Sequence, residues 1–286
     1  MSKIQIQGLL FSVIAILVGL ISTLLTQTSS TLCLVILATV IFFLGVPHGA
    51  LDPVFAQKIL LLKSWKDWSK FTIVYVLISA VIVGIWWQLP LVFMGGFLVL
   101  SVMHFSRDLN DRVPKFSRLL YGGSMIVLPT FLYLKEMQIL FSLILNEEAG
   151  LTIANFLHLL VWPWLVASLI SIYLEFLKEW LVGLEILSVA LLATLAPPLV
   201  AFTVYFCGMH SLRHILRTKA YADMTFIKLG LVSLVPMMGL IFIVVLAWLY
   251  LPALPDYERL LSFVFVGLAA LTVPHMLLID RVNYHS

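Results

Sequence analysis

Charge is absent from this chain over long distances, and that limits what it can fold into. Ten apolar segments, at about 8–26, 31–57, 69–88, 90–108, 116–134, 151–177, 180–196, 198–217, 227–250 and 258–280, follow one another across short polar gaps. Each is about 17 residues or longer, enough for a helix to cross a hydrocarbon core of about 30 Å. Helices also satisfy their own backbone hydrogen bonds where no water is available. The runs are too long and too uniform for the period-two pattern of a transmembrane barrel. The chain is 62% hydrophobic and 11% charged, whereas a soluble domain carries about 25% charged residues. The expectation is an all-α, polytopic integral membrane helical bundle of about ten transmembrane helices, forming one embedded domain over residues 1–286. Its surroundings are the lipid bilayer. A net charge of +3, spread along the chain, excludes nucleic acid as a partner.

Local features refine the count. Pro197-Pro198 ends the seventh segment and starts the eighth. The stretch 137–145 is apolar but too short to span, and is expected at the interface. Lys3 followed by the run Leu9 to Leu25 resembles a signal peptide. The run is long for one, and Thr26 to Ser30 offers no small-residue cleavage site, so it reads as a first transmembrane helix.

Basic residues give the orientation. If the gaps alternate sides, one side receives Lys3, Lys58, Lys63, Lys66, Lys70, Arg107, Arg112, Lys115, Arg118, Lys178, Arg213, Arg217, Lys219, Lys228 and Arg281. The other receives only Lys135 and Arg259. Fifteen of the seventeen basic residues thus share one side, which the positive-inside rule makes cytoplasmic. Both termini are then cytoplasmic, in a multi-pass protein of the cell (inner) membrane.

The same topology sorts the histidines. His48, His104, His210, His214 and His275 fall toward the cytoplasmic ends of four outgoing helices. His158 enters from the opposite side, and His285 is in the tail. A single intramembrane histidine often makes only a helix-to-helix hydrogen bond, which is the expectation for His158. Five at similar depth point to a metal site, because polar groups there are costly and mark function. His210 and His214 stand four apart, one turn on an α-helix. Asp52 follows His48 by four, and Asp108 follows His104 by four. Each carboxylate could accept the free ring N–H of the histidine one turn before it. For Asp108, pairing with Arg107 or Arg112 is an equal alternative. Pro47 and Pro274 each precede a histidine, where a kink could aim the ring and free a carbonyl. Cys33 and Cys207 are placed on opposite sides of the membrane, which rules out a disulfide between them.

Neutral imidazoles suit iron, zinc or copper, and ligand type alone leaves zinc open, although zinc performs no redox chemistry. Three rival classes remain at this point. One is a di-iron membrane hydroxylase or desaturase, which uses more histidines in paired boxes. The second is a bis-histidine haem protein. The third is a non-enzymatic, proton-coupled transporter in which His and Asp relay protons.

Four stretches carry a resemblance. They are Gly45-Val-Pro-His-Gly-Ala-Leu-Asp52, Met103-His104-Phe105 with Asp108, Tyr205-Phe-Cys-Gly-Met-His-Ser-Leu-Arg-His214, and Gly267-Leu-Ala-Ala-Leu-Thr-Val-Pro-His-Met-Leu-Leu-Ile-Asp280. Together, in this order, they resemble the Brp/Blh family of microbial β-carotene 15,15'-dioxygenases. The resemblance implies a membrane-embedded catalytic domain that cleaves the central double bond of β-carotene with O2, giving two molecules of all-trans-retinal. It implies non-haem Fe(2+) held by His48, His104, His210 and His214 near the cytoplasmic side. His275, Asp52 and Asp108 are then a fifth ligand or supports of the ligands. Phe105, Tyr205 and Phe206 are candidates to line a tunnel for the polyene. The implied product would link the enzyme to a retinal-binding rhodopsin.

Overall fold

The computed structural model describes residues 1–24, 31–250 and 256–281, apart from the side chains at 31–34, 250 and 256–258. Thr26 to Ser30, the Cys33 side chain and His285 lie outside the described residues. The described chain is helical throughout, with no strand. Lys3–Leu24 (α1) precedes Thr31–Val40 (α2), which runs through a π-helical turn, Ile41–Gly45, and a 3₁₀ stretch, Val46–Leu51, into Asp52–Ile59 (α3). Next come Trp65–Gln88 (α4) and Pro90–Phe105 (α5), the latter closed by a 3₁₀ turn at Ser106–Asp108. Lys115–Val127 (α6), Pro129–Leu132 (α7), Leu134–Ile144 (α8), Glu147–Leu159 (α9), Val161–Lys178 (α10) and Trp180–Leu195 (α11) form the middle of the chain. Pro198–Tyr205 (α12) winds through a π-helical segment, Phe206–Ser211, into Leu212–Ala222 (α13). Phe226–Tyr250 (α14) and Asp256–Ile279 (α15) complete the fold.

The boundaries follow from local chemistry. A capping box starts α4, with Ser64 and Asp67 each bonding the other's backbone N–H. The Asn146 side chain accepts from the Ala149 N–H to start α9. Pro90, Pro129 and Pro198 occupy first turns, where a missing N–H costs nothing.

Eight helices among the described residues are long and apolar enough to cross a membrane, or nine if one bent pair is a single span. Ten were expected, and the difference falls at the fifth and seventh segments, while the sixth is shortened to Val161–Lys178. The fifth segment turns by 117° between Leu132 and Leu134, where Tyr133 leaves the helical conformation. α8 then folds back and packs along α9 as a hairpin. The sixth segment is divided at Leu160. Pro163 has no N–H to give the Leu159 carbonyl, so a new helix starts there. The seventh, α11, has only 16 residues, or roughly 24 Å at about 1.5 Å per residue.

α4 has no buried residue, and α14 is almost as exposed. Both present their apolar side chains outward, as helices in contact with lipid do. The most buried spans are Arg259–Ile279 and Pro198–Ala222. α1 packs along α11, and α10 lies against α6 and α11. Gly122 lets α6 approach the end of α5 closely, because a Cβ there would meet the Val102 carbonyl and the Ser106 N–H. That contact fixes the Ser106–Asp108 turn.

Candidate metal centre

Five histidine side chains meet where the Val46–Leu51 stretch, the end of α5, the Phe206–Ser211 segment, the start of α13 and α15 converge. His48, His104, His210, His214 and His275 are all buried. Ring centres lie 4.5 Å apart for His104 and His210, 4.9 Å for His48 and His210, and 5.2 Å both for His104 with His275 and for His214 with His275. His48 stands 5.5 Å from His214, 5.5 Å from His275 and 6.4 Å from His104. Imidazoles bound to one ion through bonds of about 2.0–2.1 Å place their ring centres roughly 4.5–6.5 Å apart. One ring nitrogen from each of His48, His104 and His275 lies within 4.8 Å of the other two. His275 therefore stands inside the cluster.

Unpartnered nitrogens make the same point. His104 Nδ1, His210 Nε2, His214 Nε2 and His275 Nε2 are buried without a hydrogen-bond partner. Buried polar atoms are nearly always paired, and four orphans in one cluster are what a set of ligands looks like. Three rings also have a fixed tautomer. His48 Nδ1 donates to the Gly45 carbonyl at 2.6 Å. His210 Nδ1 donates to Asp108 at 3.0 Å, and His275 Nδ1 to Asp52 at 2.6 Å. Each of the three keeps a lone pair on Nε2, as a metal ligand requires. The residues present therefore fit a metal ion.

The two carboxylates do not serve the histidines that precede them. Asp52 was expected to orient His48 and instead holds His275. Asp108 was expected to orient His104, or to pair with Arg107 or Arg112, and instead holds His210. The cause is local winding. The chain from His48 to Asp52 is 3₁₀, so four residues turn the side chain a third of a revolution away. The α-helix ends at Phe105, directly after His104, before Asp108 is reached. Arg107 pairs with Asp280 across the end of α15. The Gly45 carbonyl, in the break near Pro47, does fix His48, and it also accepts from Ser211 Oγ at 3.0 Å. A Cβ at Gly45 would overlap the Phe206 ring.

A second buried polar group supports the first, and sequence reasoning missed it. Arg213, assigned above to the cytoplasmic side as a basic residue, is only 2% exposed. It donates to Glu185 Oε1 at 2.7 Å and Oε2 at 2.9 Å, to Gln7 Oε1 at 2.9 Å and to the Asp108 carbonyl at 2.9 Å. Arg217 donates to the same carbonyl at 2.8 Å. The available signal was Glu185, an acid alone in the middle of an apolar segment.

Of the aromatics, Phe105 lines an apolar cavity of about 90 Å³ between α5, α6, α8, α12 and α15, with Ser101, Phe141, Phe202 and Phe265. Phe206 stacks on His210 at 5.6 Å and on Phe202 at 5.1 Å, beside the cavity wall. Tyr205 is fully buried, and its hydroxyl donates to Asp108 at 2.7 Å. His158 lies apart from the cluster, with Nδ1 bonded to the Thr130 carbonyl at 2.9 Å. Cys207 forms no disulfide with a described residue, and its thiol donates to the Val40 carbonyl at 3.8 Å.

The sequence profile of the β-carotene 15,15'-dioxygenase family matches residues 39–283, a span that contains all five clustered histidines. The chain belongs to the β-carotene 15,15'-dioxygenase family. A β-carotene 15,15'-dioxygenase from an uncultured marine bacterium, 66A03, is 31% identical over 260 residues, covering 85% of this chain and 91% of that protein. No solved structure matches the chain. The family match begins after α1, so Gln7, which reaches Arg213 from α1, lies outside it.

Proposed function

We propose that this chain cleaves the central (15,15') double bond of β-carotene with O2 at a non-haem iron(II) held by His48, His104, His210, His214 and His275. The observation that carries this reading is the cluster of five buried imidazoles, four with an unpartnered ring nitrogen, in a chain of this family. The transformation balances without another reductant. One carbon–carbon double bond breaks, each of its carbons gains one oxygen atom, and two molecules of all-trans-retinal result. Iron(II), when bound, would supply the binding and activation of dioxygen.

The protein's own residues bind, orient and exclude water. Asp52 and Asp108 fix the rings of His275 and His210, and the Gly45 carbonyl fixes that of His48. The imidazoles bring no charge, so these two carboxylates are the nearest counter-charges to a divalent ion. The cavity adjoins the cluster at Phe105, whose ring lies 5.0 Å from that of His210. Its apolar walls suit a short stretch of a polyene that partitions into the bilayer. Water has little to bind there, which protects a reactive oxygen species from side reactions. The site is toward the cytoplasmic side of the cell membrane, and the retinal formed would serve a retinal-binding rhodopsin.

Expression in a cell that makes β-carotene, followed by extraction and chromatography, tests the reading. Retinal should accumulate, and it should vanish with His210→Ala. Unchanged β-carotene in cells holding the wild-type protein in the membrane would overturn it. Longer apocarotenals in place of retinal would overturn the central position of cleavage.

A further inference from the structure

Each Asp that holds a histidine is itself held by a tyrosine. Tyr75 Oη donates to Asp52 Oδ2 at 2.8 Å, while His275 Nδ1 donates to Asp52 Oδ1 at 2.6 Å. Tyr205 Oη donates to Asp108 Oδ2 at 2.7 Å, while His210 Nδ1 donates to Asp108 Oδ1 at 3.0 Å. The two Tyr–Asp–His chains use different helices. One joins α4, α3 and α15. The other joins α12, the turn after α5 and the π-helical segment Phe206–Ser211.

We propose that Tyr75 and Tyr205 are positioning residues that act through Asp52 and Asp108 to aim Nε2 of His275 and His210 at a common metal ion. This rests on the metal-centre reading above. Three observations support it. Both histidines end in a buried, unpartnered Nε2. Asp52 has one oxygen on Tyr75 and the other on His275, so it cannot rotate without breaking one of the two bonds; Asp108 accepts from Tyr205 on Oδ2 and from His210 on both oxygens, at 3.0 and 3.2 Å, so rotation would strain both partners at once. Tyr75 also comes from a helix with no buried residue, yet it turns its hydroxyl inward to Asp52, with the Leu271 carbonyl at 3.4 Å as a second acceptor. A lipid-facing helix does not need an inward hydroxyl for its own packing.

A carboxylate that has lost one hydrogen bond in an apolar interior is poorly satisfied and free to swing. The histidine it held then spends part of its time misaligned. Loss of a residue that orients a ligand in this way lowers metal affinity by about 10- to 100-fold. The tyrosine should show this effect only while its aspartate is present.

The test is a double-mutant cycle read by Fe(2+) affinity, measured without oxygen by competition with a chelator. Wild type, Tyr75→Phe, Asp52→Asn and the double variant form one cycle. Tyr205→Phe and Asp108→Asn form the other. Each Tyr→Phe should weaken binding by about 10-fold or more, and the double variant in each cycle should bind no more weakly than the Asp→Asn single. Tyr75→Phe combined with Tyr205→Phe should multiply the two losses, because the chains are separate. A tyrosine that matters only for folding would weaken Asp52→Asn or Asp108→Asn further by its full factor, which overturns the proposal. Tyr→Phe variants with wild-type affinity overturn it as well. A wild-type protein that binds no iron overturns the metal centre itself, which separates that failure from failure of the tyrosine assignment.

Discussion

Arg213→Leu should destabilise the protein far more than its place beside a row of basic residues suggests. The guanidinium makes two bonds to Glu185, one to Gln7 and one to the Asp108 carbonyl, and Glu185 is only 5% exposed. Removing the cation leaves a carboxylate in an apolar interior with no opposite charge beside it. Breaking a buried pair in this way costs about 3–5 kcal/mol, a large part of a total stability that is usually about 5–15 kcal/mol. Replacing both partners with apolar residues is often close to neutral. Arg213→Leu with Glu185→Leu should therefore regain most of what the single variant loses. The assay is reversible unfolding in mixed micelles by SDS titration, followed by circular dichroism. A double variant as unstable as Arg213→Leu would refute the reasoning, because the loss could not then come from the stranded carboxylate. So would a single variant within about 0.5 kcal/mol of wild type, the range of ordinary surface substitutions.

Three further outcomes are expected. His158→Ala removes one bond to the Thr130 carbonyl and should cost about 0.5–1.5 kcal/mol with iron content unchanged, as elemental analysis can check. Gly45→Ala places a methyl group on the Phe206 ring and should lower both stability and iron content, because the Gly45 carbonyl holds His48; wild-type iron content would exclude that tight contact. Reporter fusions after Lys70, Lys115 and Lys219 should report cytoplasm, and one after Glu147 the outer side. A cytoplasmic signal at Glu147 would mean that the α8–α9 hairpin lies on the other face.

Much of this was legible before any coordinates, for a definite reason. A bilayer allows few solutions, so apolar length and the placement of Lys and Arg divide the chain into segments. His48, His104, His210, His214 and His275 share a side on that division, and the structure brings the five together. The finer arrangement depends on winding, which composition does not report. The i,i+4 spacing of His48 with Asp52 assumes an α-helix, and the chain there is 3₁₀. The break at Leu160 depends on one or two residues inside a segment that reads as continuous, whereas the one at Tyr133 falls at the end of the fifth segment, just before the short 137–145 stretch. Nothing in a helix as apolar and exposed as α4 signals that Tyr75 turns its hydroxyl inward to Asp52. Glu185 and Arg213 lie in separate segments, and only the packing of α11 against α1 and the α12–α13 span shows that they meet. Glu185 alone in an apolar run was nonetheless a sign that an opposite charge had to be near.

The most direct test of the central claim is the metal content of purified protein, measured in parallel for the wild type and the Ala variants of His48, His104, His210, His214 and His275. One iron per chain is expected, with no Soret band, and a large loss of iron in each of the five variants. Full retinal formation by a protein that carries stoichiometric zinc and no iron would contradict it, as would an iron content that none of the five substitutions changes.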